Sequence, residues 1–207
     1  SVVSIRRSTM TQQIRCSGCG GSHAIDEAFA RVFACSYCGL ISKVAGTSLT
    51  VVGQSTKLAV SQGLFSIGMR GKYREEAFMV AGRIRYHHEA GVWDEWQLIC
   101  RARPMWVQQD EGRLTVFSRE ELLRDAPPFY SIRAGKELSI GDRSFFVSEI
   151  GEGVVAALSG QIPRDVAIGQ GYFFIEGIET TKTISVEYYF TEVVLSECGV
   201  LWVRFDH

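Results

Sequence analysis

The feature that most constrains this sequence is a pair of Cys-x-x-Cys-Gly motifs, at residues 16–20 and 35–39. Two such pairs, separated by 15 residues, have the spacing of a structural metal site. Four thiolates complete a tetrahedral zinc shell with no open position, so such a site stabilises a fold and does not itself catalyse a reaction. The glycine after each pair suits the positive φ of a chain that curls around a metal. The motifs therefore predict one structural zinc, with the ligands Cys16, Cys19, Cys35 and Cys38.

Other uses of these cysteines fit the sequence less well. A redox pair is expected beside a βαβ pattern, which this glycine-rich segment lacks, and two disulfides need an oxidising compartment. His23 could replace one cysteine as a ligand, but with four well-spaced cysteines we expect it to be a surface residue. Cys100 and Cys198 lie in apolar surroundings and are expected to be small buried hydrophobes. This cysteine usage favours a reducing, cytoplasmic location.

Composition narrows the class of protein. The chain has 207 residues, of which 46% are hydrophobic and 22% charged, as in ordinary globular proteins with a substantial core. Its 21 glycines favour many turns and few long helices. A formal charge of −1 argues against a dedicated DNA or RNA binder, which usually carries a basic excess. No apolar run approaches the roughly 18 residues of a membrane span, and Arg6 and Arg7 precede no signal-peptide core.

Hydrophobic periodicity predicts a mainly β protein. Apolar residues alternate over residues 78–86 and again over 92–99, which is the period of strands, and loop 87–91 joins them as a hairpin. We expect a small zinc ribbon packed on an all-β barrel or sandwich. The second half of the β domain has a similar pattern of strands and turns to the first. The two halves could be related by duplication, or they could share only the composition that is common to β-strands. The predicted segments are a lead-in (1–13, in which Met10 directly precedes a natural-looking start at Thr11), the ribbon (14–45), a linker with a short strand (46–62) and the β domain (63–207).

One short helix is expected within this β domain. Ser118 has the character of a helix N-cap, and Glu121 three residues later completes a capping box. Pro127 and Pro128 would end that helix soon after it begins.

Two acidic residues stand out in the predicted strands. Glu95 and Glu187 lie in apolar, aromatic segments, where a carboxylate is costly unless it is paired. The hairpin places Arg83 and Arg85 on the neighbouring strand, so we expect a cross-strand ion pair with Glu95, with Trp96 on the opposite face. The alternative is that these polar groups line a groove. The candidate site residues, functional or structural, are Glu95, Glu187, Arg83, Arg85, Trp93 and Trp96.

Two other function classes remain as alternatives. A small hydrolase or transferase would use Glu95 with a nearby histidine, His87 or His88, as general base and acid. Adjacent histidines diverge in a hairpin, however, and the chain has no motif of a phosphate-binding loop, a zinc protease or a serine hydrolase. Nucleic-acid binding would use Arg15, Arg31 and Tyr37 of the ribbon, although two acidic residues, at 26 and 27, stand beside them.

Several short motifs follow the ribbon in a fixed order. They are Gly82-Arg83-Ile84, Trp93-Asp94-Glu95-Trp96, Trp106-Val107, Gly160-Gln161-Ile162-Pro163 and Ile184-Ser185-Val186-Glu187-Tyr188. In this order they resemble the bacterial domain of unknown function 4178 family, in the form that carries an N-terminal zinc ribbon, over roughly residues 14–206. The family usually has Gly-Glu-x-Pro where this chain has Gln161. The resemblance implies no activity, only a neighbourhood of membrane-stress, small-membrane-protein and polyamine-synthesis-like partners.

The sequence as a whole favours a non-catalytic, zinc-stabilised binding or adaptor module of the bacterial cytoplasm. Its expected partner is a protein of a membrane-associated stress or defence system. A free sheet edge or an exposed apolar patch would favour this hypothesis. A deep pocket around Glu95 with a histidine beside it would favour the enzyme.

Overall fold

The protein is described by a computed structural model that covers residues 11–46, 48–56, 64–89, 91–100, 104–189, 193–200 and 204–205. Most of the predicted lead-in therefore lies outside the described residues. In these described ranges, sixteen strands make up nearly all of the regular structure. They are β1 (Thr11–Arg15), β2 (Ser22–Asp26), β3 (Val32–Ala34), β4 (Leu40–Ala45), β5 (Ser48–Gln54), β6 (Arg70–Tyr73), β7 (Glu76–His88), β8 (Gly91–Cys100), β9 (Met105–Asp110), β10 (Arg113–Leu123), β11 (Glu137–Ile140), β12 (Arg143–Ile162), β13 (Gly171–Glu179), β14 (Lys182–Tyr188), β15 (Val193–Val200) and β16 (Arg204–Phe205).

Eight of these strands close into an antiparallel barrel. Their order around the barrel is β7, β8, β9, β10, β15, β14, β13 and β12, and β12 pairs back onto β7. Closure removes the exposed edges that an open sheet of these strands would have. One core fills the barrel interior with aromatic and branched side chains, among them Ile84, Tyr86, Trp93, Trp106, Phe117, Leu158 and Tyr172. Of the two predicted architectures, the barrel is confirmed.

The predicted helix at Ser118 is wrong, because residues 113–123 form strand β10. Ser118 pairs with Glu197 of β15 and Glu121 pairs with Leu195, with a register shift between the two pairs. The local capping signal is overridden because β15 offers backbone partners along this segment that complete the barrel. Among the described residues the only helical structure is a 3-10 turn, Phe129–Ser131, and no helix there is long and apolar enough to cross a membrane.

The ribbon is joined to the barrel through its own strands. β3 pairs with the end of β12, and β4 and β5 continue the sheet outward from β3. Gln161 of β12 adds a side-chain link: its Oε1 accepts from the Asp26 N–H at 2.8 Å, and its Nε2 donates to the Ala24 carbonyl at 3.3 Å. β5 is the short strand predicted within residues 46–62, and it lies at the outer end of the sheet.

A β-bulge in β7 decides which side chains enter the barrel. Val80 pairs with Leu98 and Gly82 pairs with Gln97, so Ala81 is an extra residue without a partner on β8. Because strand side chains alternate between faces, one extra residue reverses the faces of everything that follows it. Before the bulge, even-numbered residues of β7 pack in an outer core with Leu98. After the bulge, even-numbered residues fill the barrel interior.

The seam that closes the barrel depends on two glycines that face each other, Gly82 of β7 and Gly160 of β12. A Cβ on Gly82 would lie 2.1 Å from the backbone oxygen of Gln161, and one on Gly160 would lie 2.2 Å from that of Ala81. Backbone atoms cannot move aside as a flexible side chain can. The two strands therefore approach this closely only because both positions lack a side chain.

We expect Gly82→Ala to destabilise the barrel by about 1–3 kcal/mol, because the added methyl group must push the paired strands apart. Gly171→Ala is the matched control, since a Cβ at this barrel glycine meets no atom within 4 Å. Denaturant unfolding monitored by tryptophan fluorescence measures both. Equal stability of the two variants would show that the seam tolerates a side chain.

Candidate functional site

The two cysteine motifs form matching turns. Residues 16–20 connect β1 to β2, and residues 35–39 connect β3 to β4. In each turn the glycine N–H donates to the carbonyl of the first cysteine at 2.8 Å, which brings both thiols of the motif to the same side. Gly20 has φ of 72° and Gly39 has φ of 78°, the left-handed conformation predicted after each second cysteine.

The four sulfur atoms meet between these turns. Cys16 Sγ lies 3.6 Å from Cys38 Sγ, Cys19 Sγ lies 3.7 Å from Cys35 Sγ, and all four atoms are within 4.8 Å of one another. A disulfide would bring two sulfurs to about 2.05 Å, which excludes that pairing. A tetrahedral ion with bonds of about 2.3 Å places its sulfur ligands about 3.8 Å apart. The arrangement therefore suits a single metal ion held by four thiolates.

His23 lies against the cysteine cluster and is half-buried, not a free surface residue. Its Nε2 is 3.2 Å from Cys35 Sγ, close enough to donate a hydrogen bond to a thiolate. Its ring also contacts Phe33 and Tyr37, with ring centroids 4.8 and 5.0 Å away. A donor of this kind beside a ligand orients it and offsets part of its negative charge.

On the outer face of the barrel, Asp94 is the centre of a buried ion-pair cluster. Arg83 donates from Nε and Nη2 to its two carboxylate oxygens at 2.9 and 2.6 Å, and Arg85 does the same at 2.9 and 2.9 Å. Arg83 also stacks over the ring of Trp96, with the guanidinium carbon 4.7 Å from its centroid. Burial raises the pKa of Asp94, but the two guanidinium groups outweigh it and lower the pKa overall.

The predicted ion pair between Glu95 and Arg83 or Arg85 is therefore wrong. In β8, Asp94 and Glu95 project to opposite faces, and the bulge at Ala81 puts both arginines on the face of Asp94. Glu95 points into the barrel instead.

Inside the barrel, Glu95 and Glu187 form a second polar cluster. Glu95 Oε2 accepts from the Tyr86 hydroxyl at 3.3 Å, and Glu187 Oε2 accepts from the Tyr189 hydroxyl at 2.6 Å. Burial, reinforced by the charge of Glu187, raises the pKa of Glu95 to about 8, against the opposing effects of Arg164 and of hydrogen bonds from nearby side chains. Glu95 therefore holds its proton at pH values where an exposed glutamate is ionised.

Arg164 supplies the positive charge of this interior cluster. Its Nη1 lies 4.0 Å from Glu187 Oε2, and its guanidinium carbon lies 4.6 Å from the ring centroid of Trp106 and 4.3 Å from that of Tyr189. Periodicity does not reveal this residue, because it follows β12 in a loop where no periodic pattern shows which way a side chain points. The only signal was a lone arginine after Pro163.

A cavity of about 500 Å³ also lies within the barrel. Trp93 and Tyr172 line it, and both also contact Tyr86, with ring centroids 4.9 and 4.6 Å away. Neither Glu95 nor Glu187 lines it. Of the two histidines proposed to assist Glu95, His88 lines the cavity with its ring 5.0 Å from that of Trp93, and His87 is exposed. The structure thus brings neither histidine into a hydrogen bond with Glu95.

A comparison with protein-family models matches residues 66–198 to the Domain of unknown function (DUF4178). The chain belongs to this family. The matched range covers most of the barrel, including Arg83, Asp94, Glu95 and Glu187, and the cysteine ribbon precedes it. No curated protein and no solved structure matches the chain. The DUF4178 family therefore identifies the domain without assigning it an activity.

We expect Asp94→Ala to lower the free energy of unfolding by about 3 kcal/mol, because it leaves two arginines without their shared carboxylate. Asp142→Ala, in the exposed turn between β11 and β12, is the matched control. Thermal melts of both variants at neutral pH test this. A wild-type melting temperature for Asp94→Ala would mean that the cluster contributes nothing to stability.

Glu95→Gln should change how stability depends on pH. Between the ordinary glutamate value of 4.5 and about 8, the folded protein holds a proton on Glu95 that the unfolded chain releases. Its contribution is therefore complete below pH 4.5 and is lost as pH rises towards 8, by at most about 1.4 kcal/mol per pH unit. Denaturant unfolding at several pH values should show wild type losing stability relative to Glu95→Gln across this range. Parallel curves would contradict the raised pKa.

Proposed function

We propose that this DUF4178 protein is a zinc-stabilised, non-catalytic binding module that recruits a protein partner. The observation that carries the proposal is strand β5, next to the ribbon, which has no partner on its outer side among the described residues. Its proposed setting, a membrane-associated stress or defence system of the bacterial cytoplasm, rests on the family resemblance alone.

Zinc is the metal we propose for the cysteine cluster. Four thiolates in tetrahedral arrangement favour zinc over the oxygen-seeking cations, and a four-cysteine shell leaves no position for a substrate. The ribbon has only a small core of its own, formed by Cys16, Ile25, Ala30, Phe33, Cys35 and Val44. A core of this size stabilises a fold poorly without a metal or covalent link, so metal binding would supply much of the folding energy of the ribbon.

Cys38→Ser should abolish zinc binding and unfold the ribbon while the barrel stays folded, because two of the barrel cores contain no ribbon residue. Elemental analysis should find one zinc per wild-type chain and almost none in the variant. Cys198→Ser, outside the cluster, is the control and should keep its zinc. Wild-type protein prepared without chelator that contains no zinc would contradict the assignment.

Strand β5 is the outermost strand of the sheet and has no partner beyond it among the described residues. It presents Val51 and Val52 with 50% and 51% of their surface exposed. An edge strand with free backbone groups and apolar side chains is a template on which an extended segment of another protein can add as a further strand.

This edge is anchored to both the cysteine site and the barrel. The Gln54 side chain donates to the Cys38 carbonyl, and the Ser55 N–H donates to the Gly39 carbonyl at 2.7 Å. Ser55 Oγ in turn accepts from the N–H of Leu158 in β12 at 2.9 Å. Metal loss would release one of these anchors, so partner binding should depend on the metal.

The test is affinity capture from the native host with three baits, followed by mass spectrometry. Wild type should enrich a specific partner. The double variant Val51→Glu, Val52→Glu should lose this partner, because charged side chains on an edge strand disfavour the addition of another strand. Val154→Glu is the matched control, since this exposed valine lies on β12, whose backbone is paired with neighbouring strands. Capture of the same proteins by the edge variant and wild type would contradict docking at β5.

A further inference from the structure

The barrel cavity is strongly acidic. Among its lining residues one side chain, Arg113, carries a fixed positive charge. Five lining residues carry carboxylates: Glu89, Asp110, Glu149, Glu152 and Glu176. The cavity therefore has a large negative excess, in a chain whose net charge is only −1. Three of the five residues, Glu89, Glu149 and Glu152, are exposed, so the cavity opens to solvent. A cleft lined by one sign of charge concentrates ligands of the opposite sign.

Two of these carboxylates are placed where they repel each other. Glu149 of β12 and Glu176 of β13 are direct cross-strand partners, an arrangement that is destabilising for like charges. Burial raises the pKa of Glu176, the charge of Glu149 raises it further, and Arg113 only partly opposes them. A cation between the two carboxylates would relieve this repulsion.

Aromatic rings form another part of the cavity lining. Trp93, Tyr172 and Phe174 contact one another, with ring centroids 5.9 to 6.0 Å apart. Two glycines of β12 make room for them: a Cβ at Gly151 would lie 2.4 Å from the Phe174 ring, and one at Gly153 would lie 2.5 Å from the Trp93 ring. Aromatic faces attract cations, so the rings and the carboxylates favour the same kind of ligand.

A metal ion fits these groups poorly. Within the described part of the chain, the four cysteines are the group whose ligand atoms come close enough to share one ion. The carboxylates of the cavity are spread over several strands, as suits a larger cation.

We propose that the barrel cavity binds a small organic cation, a primary ammonium group carried on an aliphatic chain. The ammonium group lies between Glu149 and Glu176, and the chain packs against the rings of Trp93 and Phe174. A volume of about 500 Å³ is within the usual size of small-molecule sites. This site lies within the barrel and does not depend on partner docking at β5.

The test compares three probes of the same length on the full chain: hexylammonium, hexan-1-ol and hexanoate. Isothermal titration and thermal shift should show binding of hexylammonium and little or none of the neutral and anionic probes. Binding should weaken as salt concentration rises. Absence of hexylammonium binding at millimolar concentration, or equal binding of hexanoate, would overturn the proposal.

Variants locate the site. Glu176→Gln should weaken hexylammonium binding about tenfold, and should raise the melting temperature of the free protein because it removes the repulsion with Glu149. Glu137→Gln, exposed on β11 outside the cavity, is the matched control and should behave as wild type. If Glu176→Gln binds as tightly as wild type, the proposal is wrong. The edge variant Val51→Glu, Val52→Glu should keep its hexylammonium binding, which separates this test from that of the proposed function.

Discussion

The whole structure depends on the pairing of one long strand. β12 has 20 residues and pairs with β11 and β13 at its beginning, and with β7 and β3 at its end. Register shifts between residues 147 and 149 and between 155 and 157 let it bend as it leaves one neighbour for the next. The last few residues of this strand thus both close the barrel and carry the ribbon. Disruption there would separate the cysteine site from the cavity.

Gln161 shows why an amide suits this junction. Its side chain accepts a hydrogen bond from one backbone N–H of β2 and donates one to a backbone carbonyl of β2, so both ends of the amide link the barrel to the ribbon. An ionised glutamate at this position could only accept. In this chain the position serves to dock the ribbon, so an acidic residue there is not needed for the fold.

The sequence predicted what depends on local spacing. The cysteine cluster is set by two short turns, and the strands follow from period-two alternation, so both were visible without the structure. Ser118 looked like a helix start because the capping pattern is local, whereas β15, more than 70 residues later, decides that it lies in a strand. The partner of Arg83 and Arg85 was mistaken because the bulge at Ala81 leaves no mark in composition. Arg164 was missed because it reaches the interior from a loop.

The bulge in β7 also bears on how relatives of this protein can differ in length. If the same residues followed strict alternation without the bulge, Arg83 and Arg85 would turn towards the interior. Deletion of Ala81, by contrast, would remove the bulge and leave these side chains on the faces they now occupy. Insertions in a surface turn add only a modest loop entropy, so turns can lengthen freely. We therefore expect gaps in an alignment of relatives to gather in the turns, and a gap within residues 78–86 to fall at the bulge, where the loss of one residue leaves the inner and outer surfaces of the barrel wall unchanged.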